Sequence, residues 1–371
     1  MNRPVWKFVF VVIALGVLGL KLFLAFSTAG APDISVWKDF VVHINDCGVC
    51  VYKTGGLMQY PGGFRLNPFN HPPFIIHALR LTNFVSSHTG LAFETVFRSL
   101  TSLIDVGTAI VTYHLLQRAK IFSAPAFLLY LVAPATIVVS GYHGNTDSVM
   151  IFFVLLAALL VSKPWLAGIA FGMALNIKIV PVIFLLAFVL KYKGRQERLW
   201  FLGTTLLVAL IASLPFLIQD PQAVASGVLG YRGFTGRWGL SRALFASLGP
   251  SELYQTLTRL STYLLLVYIL YLSWRSRTQP LIVLGGLLVF SFIAFTPAWG
   301  TNYMAWLDPF AIALGPWPAL VYYLTSGAML VYLYFINDDE STPLIAISWI
   351  GVLLITWLFL KRTKTVSPDQ T

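Results

Sequence analysis

Long apolar runs separated by short polar segments dominate the pattern of this chain from one end to the other. Many of these runs approach the roughly 20 residues that an α-helix needs to cross a bilayer. We predict about twelve membrane segments, which cover 8–26, 94–116, 121–140, 149–161, 165–177, 180–190, 199–218, 253–273, 281–295, 304–314, a segment ending at 338, and 344–360. The arms 165–177 and 180–190 are short and meet near a proline, which is typical of helices that line a cavity.

Two longer polar stretches, 27–93 and 219–251, interrupt this pattern. Within the first, apolar residues recur at helical spacing over 73–85, which predicts a helix lying in the membrane interface. The chain has no visible internal repeat. We therefore expect 1–371 to form a single transmembrane domain with two long external loops.

Some ionisable residues lie within the predicted membrane segments. Lys21 and Asp105 are expected to serve as structural pairs rather than as catalysts. Glu94 and Arg98 are four residues apart and can pair on one helix face.

Composition narrows the class of protein. The chain is 57% hydrophobic and only 11% charged, whereas a soluble domain carries about a quarter charged residues. These values and the recurring runs predict an all-α, polytopic integral membrane protein.

The net charge of +11 is explained by membrane topology. Lysines and arginines cluster in alternate gaps between apolar runs, for example at 191–198, 275–277 and 361–364. Such clusters mark cytoplasmic loops. Both termini are then expected in the cytoplasm, the unusual polar loops fall on the external face, and a nucleic-acid partner is not expected.

A pair of cysteines, Cys47 and Cys50, lies in the first external stretch. One pair cannot form a four-cysteine zinc site. Outside the cytoplasm a local disulfide is possible. Two incidental thiols, or a redox or metal role, are the other interpretations.

Asp33 is the candidate general base, because it follows the first membrane segment at the external face. A carboxylate there could accept a proton from an acceptor hydroxyl during attack on an activated carbon. The alternative is a helix N-cap, a role that Asp also favours. Asp39 and Asp46 compete for the catalytic role.

Several polar residues in the external segments are candidates for binding a sugar. His71 precedes a rigid Pro-Pro turn that would point it into a cleft, or would only fix the start of the interface helix. The other candidates are His143, Asn145, Asp147, Asn302 and Tyr303. Helix capping by Asp147 and aromatic-belt placement of Tyr303 are the alternatives.

Basic residues near the same face are candidates for binding phosphate. Lys178 lies too deep to mark topology and could neutralise a phosphate leaving group, or extend to the interface. Arg232, Arg237 and Arg242 are spaced by five among glycines and could hold a lipid-linked phosphate, or face lipid headgroups. The chain has no Asp-x-Asp, P-loop or Rossmann motif, so the sugar donor is expected to be membrane-borne.

Five segments in this order resemble the GT-C superfamily of polyprenol-phosphate-dependent glycosyltransferases, in particular the mannosyltransferase-like family 87. They are Asp33, Asn-His-Pro-Pro-Phe at 70–74, Gly-Asn-Thr-Asp at 144–147, Lys-Ile-Val-Pro at 178–181, and the run 302–310. The resemblance implies a bacterial plasma-membrane enzyme that builds cell-envelope glycans.

Such an enzyme would move mannose or another hexose from a polyprenyl-phosphate donor to a lipid or glycan acceptor. It would act on the external face and invert the anomeric centre. Asp33 would act as base, while Lys178 and the three arginines would face the donor phosphate. His71 departs from the Tyr or Asp that often precedes Pro-Pro in the family, and the segment 144–147 also differs from several branches.

Two other classes of function remain open. A secondary transporter or lipid-linked-sugar flippase also suits about twelve segments, but predicts two similar halves and polar residues near the midplane. A glycan polymerase or ligase would need a larger external loop. No cofactor is expected, and a metal ion is possible but not favoured because the external face carries no conspicuous acidic cluster.

Overall fold

The computed structural model describes residues 3–60, 63–230, 233–337 and 342–364, and in those ranges it is mainly helical with four short strands. The α-helices in the first half of the chain are α1 (Arg3–Ser27), α2 (Pro32–Cys47), α3 (Val51–Thr54), α4 (Phe74–Thr89), α5 (Phe93–Arg118), α6 (Ala124–Leu131), α7 (Pro134–Ile137), α8 (Asp147–Leu159), α9 (Pro164–Ile177) and α10 (Leu185–Val189). Those in the second half are α11 (Arg195–Ile211), α12 (Leu214–Gln219), α13 (Pro221–Gly230), α14 (Gly239–Leu248), α15 (Glu252–Arg275), α16 (Leu281–Phe295), α17 (Met304–Ala311), α18 (Pro316–Val331) and α19 (Pro343–Lys364).

The strands form two small antiparallel pairs. β1 (Gly56–Tyr60) pairs with β2 (Gly63–Asn67), and β3 (Phe234–Thr235) pairs with β4 (Ala298–Trp299). Short 3₁₀ segments cover Gly48–Cys50, Val180–Phe184, Thr301–Tyr303 and Ile312–Leu314, and π-helical turns cover Val138–His143 and Tyr332–Ile336.

Six helices within the described ranges are long and apolar enough to cross a membrane. They are Val5–Ser27, Phe93–Arg118, Ala124–His143, Glu252–Arg275, Pro316–Ile336 and Pro343–Lys364, and four shorter apolar helices accompany them. Large apolar side chains such as Phe8 and Phe23 on α1 are exposed, as expected of a surface that faces lipid. The predicted all-α membrane fold is confirmed, while the number of twelve crossings stays a prediction.

The first polar stretch, 27–93, is not a loop but a set of ordered elements. It contains α2, the β1–β2 hairpin and α4. The predicted helix over 73–85 forms as α4, which buries Ile75, Ile76 and Leu79 and exposes Leu81. Hydropathy alone did not reveal α2. This helix mixes buried and charged residues, and it is shorter and less apolar than a membrane-spanning helix.

Prolines subdivide several predicted segments. The segment predicted over 121–140 is interrupted after Leu131, and helix resumes at Pro134, because proline cannot donate to the helix ladder but fits its first turn. The second polar stretch, 219–251, was expected to be a loop, but it contains the helices α13 and α14.

The chain forms two compact units. The first comprises Met1–Val111, Thr136–Val182 and Gly194–Tyr231, and the second comprises Thr112–Ala135, Ile183–Lys193 and Arg232–Thr371. The earlier expectation of a single domain over 1–371 stays a prediction.

A buried ion pair joins two helices of the first unit. The ammonium of Lys21 on α1 bonds to the carboxylate of Asp105 on α5, and both side chains are buried. Gly141 packs against Lys21, since an added Cβ would lie 2.9 Å from the Lys21 Cα. This confirms the interpretation of Lys21 and Asp105 as a structural pair.

The core of the second unit surrounds α16. Nearly every residue of this helix is buried, and Gly285 and Gly286 admit the rings of Phe310 and Phe359. Tyr322 on α18 donates to the main-chain oxygen of Met304 at 2.8 Å. The glycines permit close packing, because an added Cβ would lie within 2.8 Å of those rings.

Candidate active site

The position of Asp33 is set by the junction between α1 and α2. Gly30 adopts a φ of +82°, which permits a sharp turn, and Pro32 is the first residue of α2. Asp33 lies in the first turn, where the helix dipole favours a negative charge. The N-cap is Ala31 and has no side-chain capping bond, so the carboxylate is not the N-cap.

Both described hydrogen bonds to the Asp33 carboxylate reach the same oxygen. His143 Nε2 donates to Oδ2 at 2.7 Å, and Asn145 Nδ2 donates to Oδ2 at 3.1 Å. Within residues 3–60, 63–230, 233–337 and 342–364, Oδ1 has no hydrogen-bond partner. The side chain remains 32% exposed. One oxygen is therefore held in place while the other can receive a substrate hydroxyl.

A tight turn brings His143 and Asn145 to this carboxylate. The π-helical turn Val138–His143 ends at Gly144, which has a φ of +72°, a backbone conformation that side chains with a Cβ disfavour. Asn145 Oδ1 accepts from the main-chain N–H of Thr146 at 2.7 Å. This bond orients the amide so that its NH₂ group faces Asp33.

Charged neighbours determine the proton affinity of Asp33. Burial by itself would raise its pKa, but interaction with His143, Lys178 and the Asn145 amide outweighs burial and lowers the pKa below the ordinary value of 3.8. Asp33 is therefore ionised at neutral pH, as a general base must be before it can accept a proton.

The other two predicted carboxylates have different surroundings. Asp39 Oδ2 accepts the main-chain N–H of Leu57 at 2.7 Å and lies 3.5 Å from His43 Nε2. It therefore ties α2 to the β1–β2 hairpin. Asp46 is exposed on the same helix.

Lys178 and Asp147 form an ion pair beside this group. Lys178 Nζ lies 2.8 Å from Asp147 Oδ1, where the aspartate side chain is fully buried and the lysine side chain is 15% exposed. Asp147 begins α8, and Lys178 follows directly after α9. The pair gives this deep lysine a buried carboxylate partner.

His71 completes the cluster. Its Nδ1 lies 3.1 Å from the main-chain oxygen of Ile177, and its own main-chain oxygen accepts from the hydroxyl of Tyr52 at 2.7 Å. Burial, followed by the charge of Lys178, lowers the pKa of His71 to about 4. Its imidazole is therefore neutral at physiological pH.

Arg98 is a buried residue that fixes the backbone next to the site, although the sequence did not identify it as functional. It is 1% exposed, and its guanidinium donates to the main-chain oxygens of Ala25 and Thr28 at 2.8 and 2.7 Å. Pairing with Glu94 was expected, but Arg98 Nε bonds to the main-chain oxygen of Glu94, and the Glu94 carboxylate pairs with Lys38. An arginine inside an apolar helix was the available signal, since such residues are usually functional.

The remaining predicted residues lie mainly in the second unit. Arg237 places its guanidinium 4.4 Å from the centroid of the Phe234 ring, and Arg242 belongs to α14. Asn302 is buried in a 3₁₀ turn, and Tyr303 stacks on Trp306 with centroids 4.2 Å apart. Arg232 lies outside the described residues.

Aromatic packing orders the segment that carries two of these arginines. Trp238 and Trp299 stack with centroids 4.8 Å apart, and both are buried. The Trp238 Nε1 donates to the main-chain oxygen of Ile293 at 2.8 Å. Arg237 therefore precedes a rigidly held tryptophan rather than lying in a solvated loop.

Cys47 and Cys50 form a disulfide at the end of α2. Among the residues that the structure describes, no group of three or more His, Cys, Asp or Glu could hold a metal ion.

Comparisons with known proteins show the family and the fold of the chain. The model of glycosyltransferase family 87 matches residues 69–296, a range that includes His71, His143, Asp147 and Lys178 and begins after Asp33. Two curated relatives are polyprenol-phosphate-mannose-dependent α-(1-2)-phosphatidylinositol mannoside mannosyltransferases. The protein from Mycolicibacterium smegmatis is 28% identical over 38% of this chain, and that from Mycobacterium tuberculosis is 28% identical over 52%.

The chain spans only 34% and 48% of the lengths of those two relatives. Among solved structures, ArnT from Cupriavidus metallidurans bound to undecaprenyl phosphate is similar with a TM-score of 0.54 and 14% identity. This match covers 98% of the present chain and 78% of ArnT. The predicted GT-C fold and family are thus confirmed: the chain has the GT-C fold and belongs to glycosyltransferase family 87.

Proposed function

We propose that this protein is a membrane glycosyltransferase that moves mannose or another hexose from a polyprenyl-phosphate donor to a hydroxyl acceptor. The acceptor would be a lipid or glycan at the external face of a bacterial plasma membrane. Family membership supports the class of enzyme. The names of the two mannosyltransferases support the donor class.

The observation that carries the proposal is the asymmetric environment of the Asp33 carboxylate. Oδ2 is held by His143 and Asn145, and Oδ1 is left to accept the proton of the incoming hydroxyl. The hydroxyl oxygen would bond to the anomeric carbon while the bond from that carbon to the phosphate oxygen breaks. Attack opposite to the leaving group inverts the anomeric centre, and polyprenyl phosphate leaves as an anion.

Lys178 would stabilise that anion as its charge develops. Its partial exposure and its position beside Asp33 support this role. Arg237 and Arg242 belong to the second unit and stay candidates for binding phosphate from the sequence alone. The proposal includes no metal ion, and transfer that persists in EDTA would agree with it.

Replacement of Asp33 tests the function directly. We expect Asp33→Asn to lower sugar transfer by roughly 10²- to 10⁴-fold, the usual contribution of general acid–base catalysis, while donor binding is retained. The assay uses purified protein in lipid, radiolabelled polyprenyl-phosphate-mannose or -glucose, and a membrane extract as acceptor.

Asp46→Asn is the matched control, because Asp46 is exposed on the same helix and should transfer sugar normally. If Asp33→Asn retains full activity, the base is another residue and Asp39 is examined next. If the wild type transfers no sugar but moves lipid-linked sugar across vesicles, the alternative of a flippase or transporter replaces the proposed function.

A further inference from the structure

His71 is a buried histidine whose two ring nitrogens have unlike surroundings. The ring is 8% exposed, and Nδ1 lies 3.1 Å from the main-chain oxygen of Ile177. A carbonyl oxygen can only accept a hydrogen bond, so Nδ1 must carry the proton. In the described part of the chain, Nε2 has no hydrogen-bond partner.

The ring is also fixed in orientation. Trp37 packs against it with centroids 4.8 Å apart, and Phe69 packs with centroids 6.0 Å apart. The Tyr52 hydroxyl holds the main-chain oxygen of His71 at 2.7 Å. The unpartnered nitrogen is thus held in one place by packing and by two hydrogen bonds, with part of its surface still accessible.

Burial and a nearby lysine keep the imidazole of His71 neutral. Lys178, Asp147 and Asp33 all interact with it electrostatically. Burial and the lysine oppose a second proton more strongly than the two carboxylates favour it. In the neutral ring with hydrogen on Nδ1, Nε2 offers a lone pair and no hydrogen.

We propose that His71 Nε2 accepts a hydrogen bond from a carbohydrate hydroxyl of the substrate, and so helps to select which sugar is bound. A phosphodiester has no hydrogen to donate, so this nitrogen is not a phosphate ligand. The hydroxyl belongs either to the donor sugar or to the acceptor. The inference rests on the proposed function, because it places His71 beside Asp33 in the same substrate site.

Transfer kinetics with deoxy substrates test the contact. His71→Asn keeps a hydrogen-bond donor near the position of Nδ1 but has no acceptor at the position of Nε2, whereas the longer amide of His71→Gln can reach that position. We expect His71→Asn to lower kcat/KM by about 10- to 100-fold, the effect of losing a partner for a buried polar group, and His71→Gln to recover part of it. His77→Asn is the control, since His77 is exposed and contacts the Ala212 oxygen in the turn after α11.

A set of donors and acceptors that each lack one hydroxyl identifies the partner. For the analogue that lacks the contacted hydroxyl, His71→Asn should cause little further loss, and for all other analogues the full loss should remain. A donor analogue with this behaviour assigns the contact to the donor sugar, and an acceptor analogue assigns it to the acceptor. If His71→Asn lowers kcat/KM equally with every analogue, His71 Nε2 contacts none of these hydroxyls and the proposal is overturned.

Nitrogen NMR of ¹⁵N-histidine-labelled protein in nanodiscs tests the same idea without transfer. If the donor supplies the hydroxyl, polyprenyl-phosphate-mannose should change the ¹⁵N chemical shift of His71 Nε2 as an imidazole nitrogen's shift changes when it accepts a hydrogen bond. Polyprenyl phosphate alone should leave this chemical shift unchanged. A protonated Nε2 at neutral pH, or equal shifts with both ligands, contradicts the proposal. A shift with the sugar donor in a protein that transfers no sugar would support the His71 contact while rejecting the proposed enzyme.

Discussion

The two oxygens of the Asp33 carboxylate differ in their surroundings, and the difference sets how the site should respond to pH. His143 and Asn145 bond to Oδ2, and their effect with that of Lys178 lowers the pKa of Asp33 against the opposing effect of burial. A base with a lowered pKa remains ionised as the solution becomes acidic. Transfer by the wild type should therefore persist to pH values below those typical of an ordinary buried carboxylate.

Removal of the His143 donor should reverse this effect. In His143→Phe, burial of Asp33 remains but the largest opposing interaction is lost, so the pKa of Asp33 rises. The acidic limb of the kcat/KM profile then moves to higher pH, and activity at mildly acidic pH falls first. His143→Gln keeps an N–H near the position of Nε2. The midpoint of its acidic limb should therefore lie closer to that of the wild type.

The measurement is a pH–rate profile for the two variants and the wild type in the same lipid. A uniform decrease in kcat/KM at all pH values, with an unchanged midpoint, would mean that His143 acts on the reaction by another route than the ionisation of Asp33.

At the scale of secondary-structure elements, three segments meet around Arg98. Its guanidinium bonds to the last turn of α1 and lies within reach of the main-chain oxygen of Tyr142. An added Cβ at Gly30 would lie 2.9 Å from that same oxygen and 3.1 Å from an Arg98 nitrogen. The end of α1, the start of α2 and the turn that carries His143 are thus held in register by one buried arginine.

Gly144 tests how tightly this junction is packed. Its φ is +72°, and an added Cβ would lie 2.9 Å from both Arg98 Cγ and Ile34 Cδ1. Gly144→Ala should therefore shift the turn that carries His143 and Asn145, and we expect transfer to fall by about 10- to 100-fold, because a displacement near 1 Å can have that effect on catalysis. The measurement is kcat with saturating donor.

Gly90→Ala is the matched control for backbone strain. Gly90 also has a φ of +72°, but its added Cβ would meet nothing within 4 Å. Both variants carry the strain of roughly 1–2 kcal/mol that a left-handed residue with a Cβ brings, and only Gly144→Ala adds the clash. Equal activity of the two variants would show that the junction can adjust.

At the scale of the whole molecule, family membership and fold are established, while orientation in the membrane is still a prediction from the distribution of lysine and arginine. The proposed reaction needs Asp33 on the external face, because polyprenyl-linked sugars are expected there. The β1–β2 hairpin would then be external, and the basic segment 191–198 would be cytoplasmic.

Cysteine labelling in intact cells tests this orientation. In a background with Cys47→Ser and Cys50→Ser, a membrane-impermeant maleimide should label Arg65→Cys, which is exposed on β2, but not Arg198→Cys, which is exposed near the start of α11. Opening the cells should make the second position reactive. The reverse pattern would place the Asp33 site in the cytoplasm and would reject the proposed external reaction.

Much of this protein could be predicted from its sequence where the physical signal is local. Long apolar runs predicted a helical membrane protein, because a helix in lipid must satisfy its own backbone and present apolar side chains. Lys21 and Asp105 were identified as a structural pair, because isolated charges within a membrane are costly. Asp33 was predicted as the base because it is a carboxylate close to a membrane exit, and that role stays a prediction.

Other features depended on distant contacts that no local pattern contains. The helices within 27–93 resemble a polar loop in sequence, because they bury only part of their surface and do not span a membrane. Arg98 was paired with Glu94 from helical spacing, but the carbonyl oxygens at the end of α1 are better placed to accept from a buried guanidinium.

The sequence by itself determined the class of the protein, its helical membrane architecture and the residue types available for catalysis. Only the tertiary structure decided which of those residues meet: that Asp33 is held by His143 and Asn145 through one oxygen, and that Lys178 pairs with Asp147. The physical reason is the range of the interactions. Hydropathy and helix formation act between near neighbours, whereas a bond between residues more than a hundred positions apart, such as Asp33 to His143, exists only after the helices have packed.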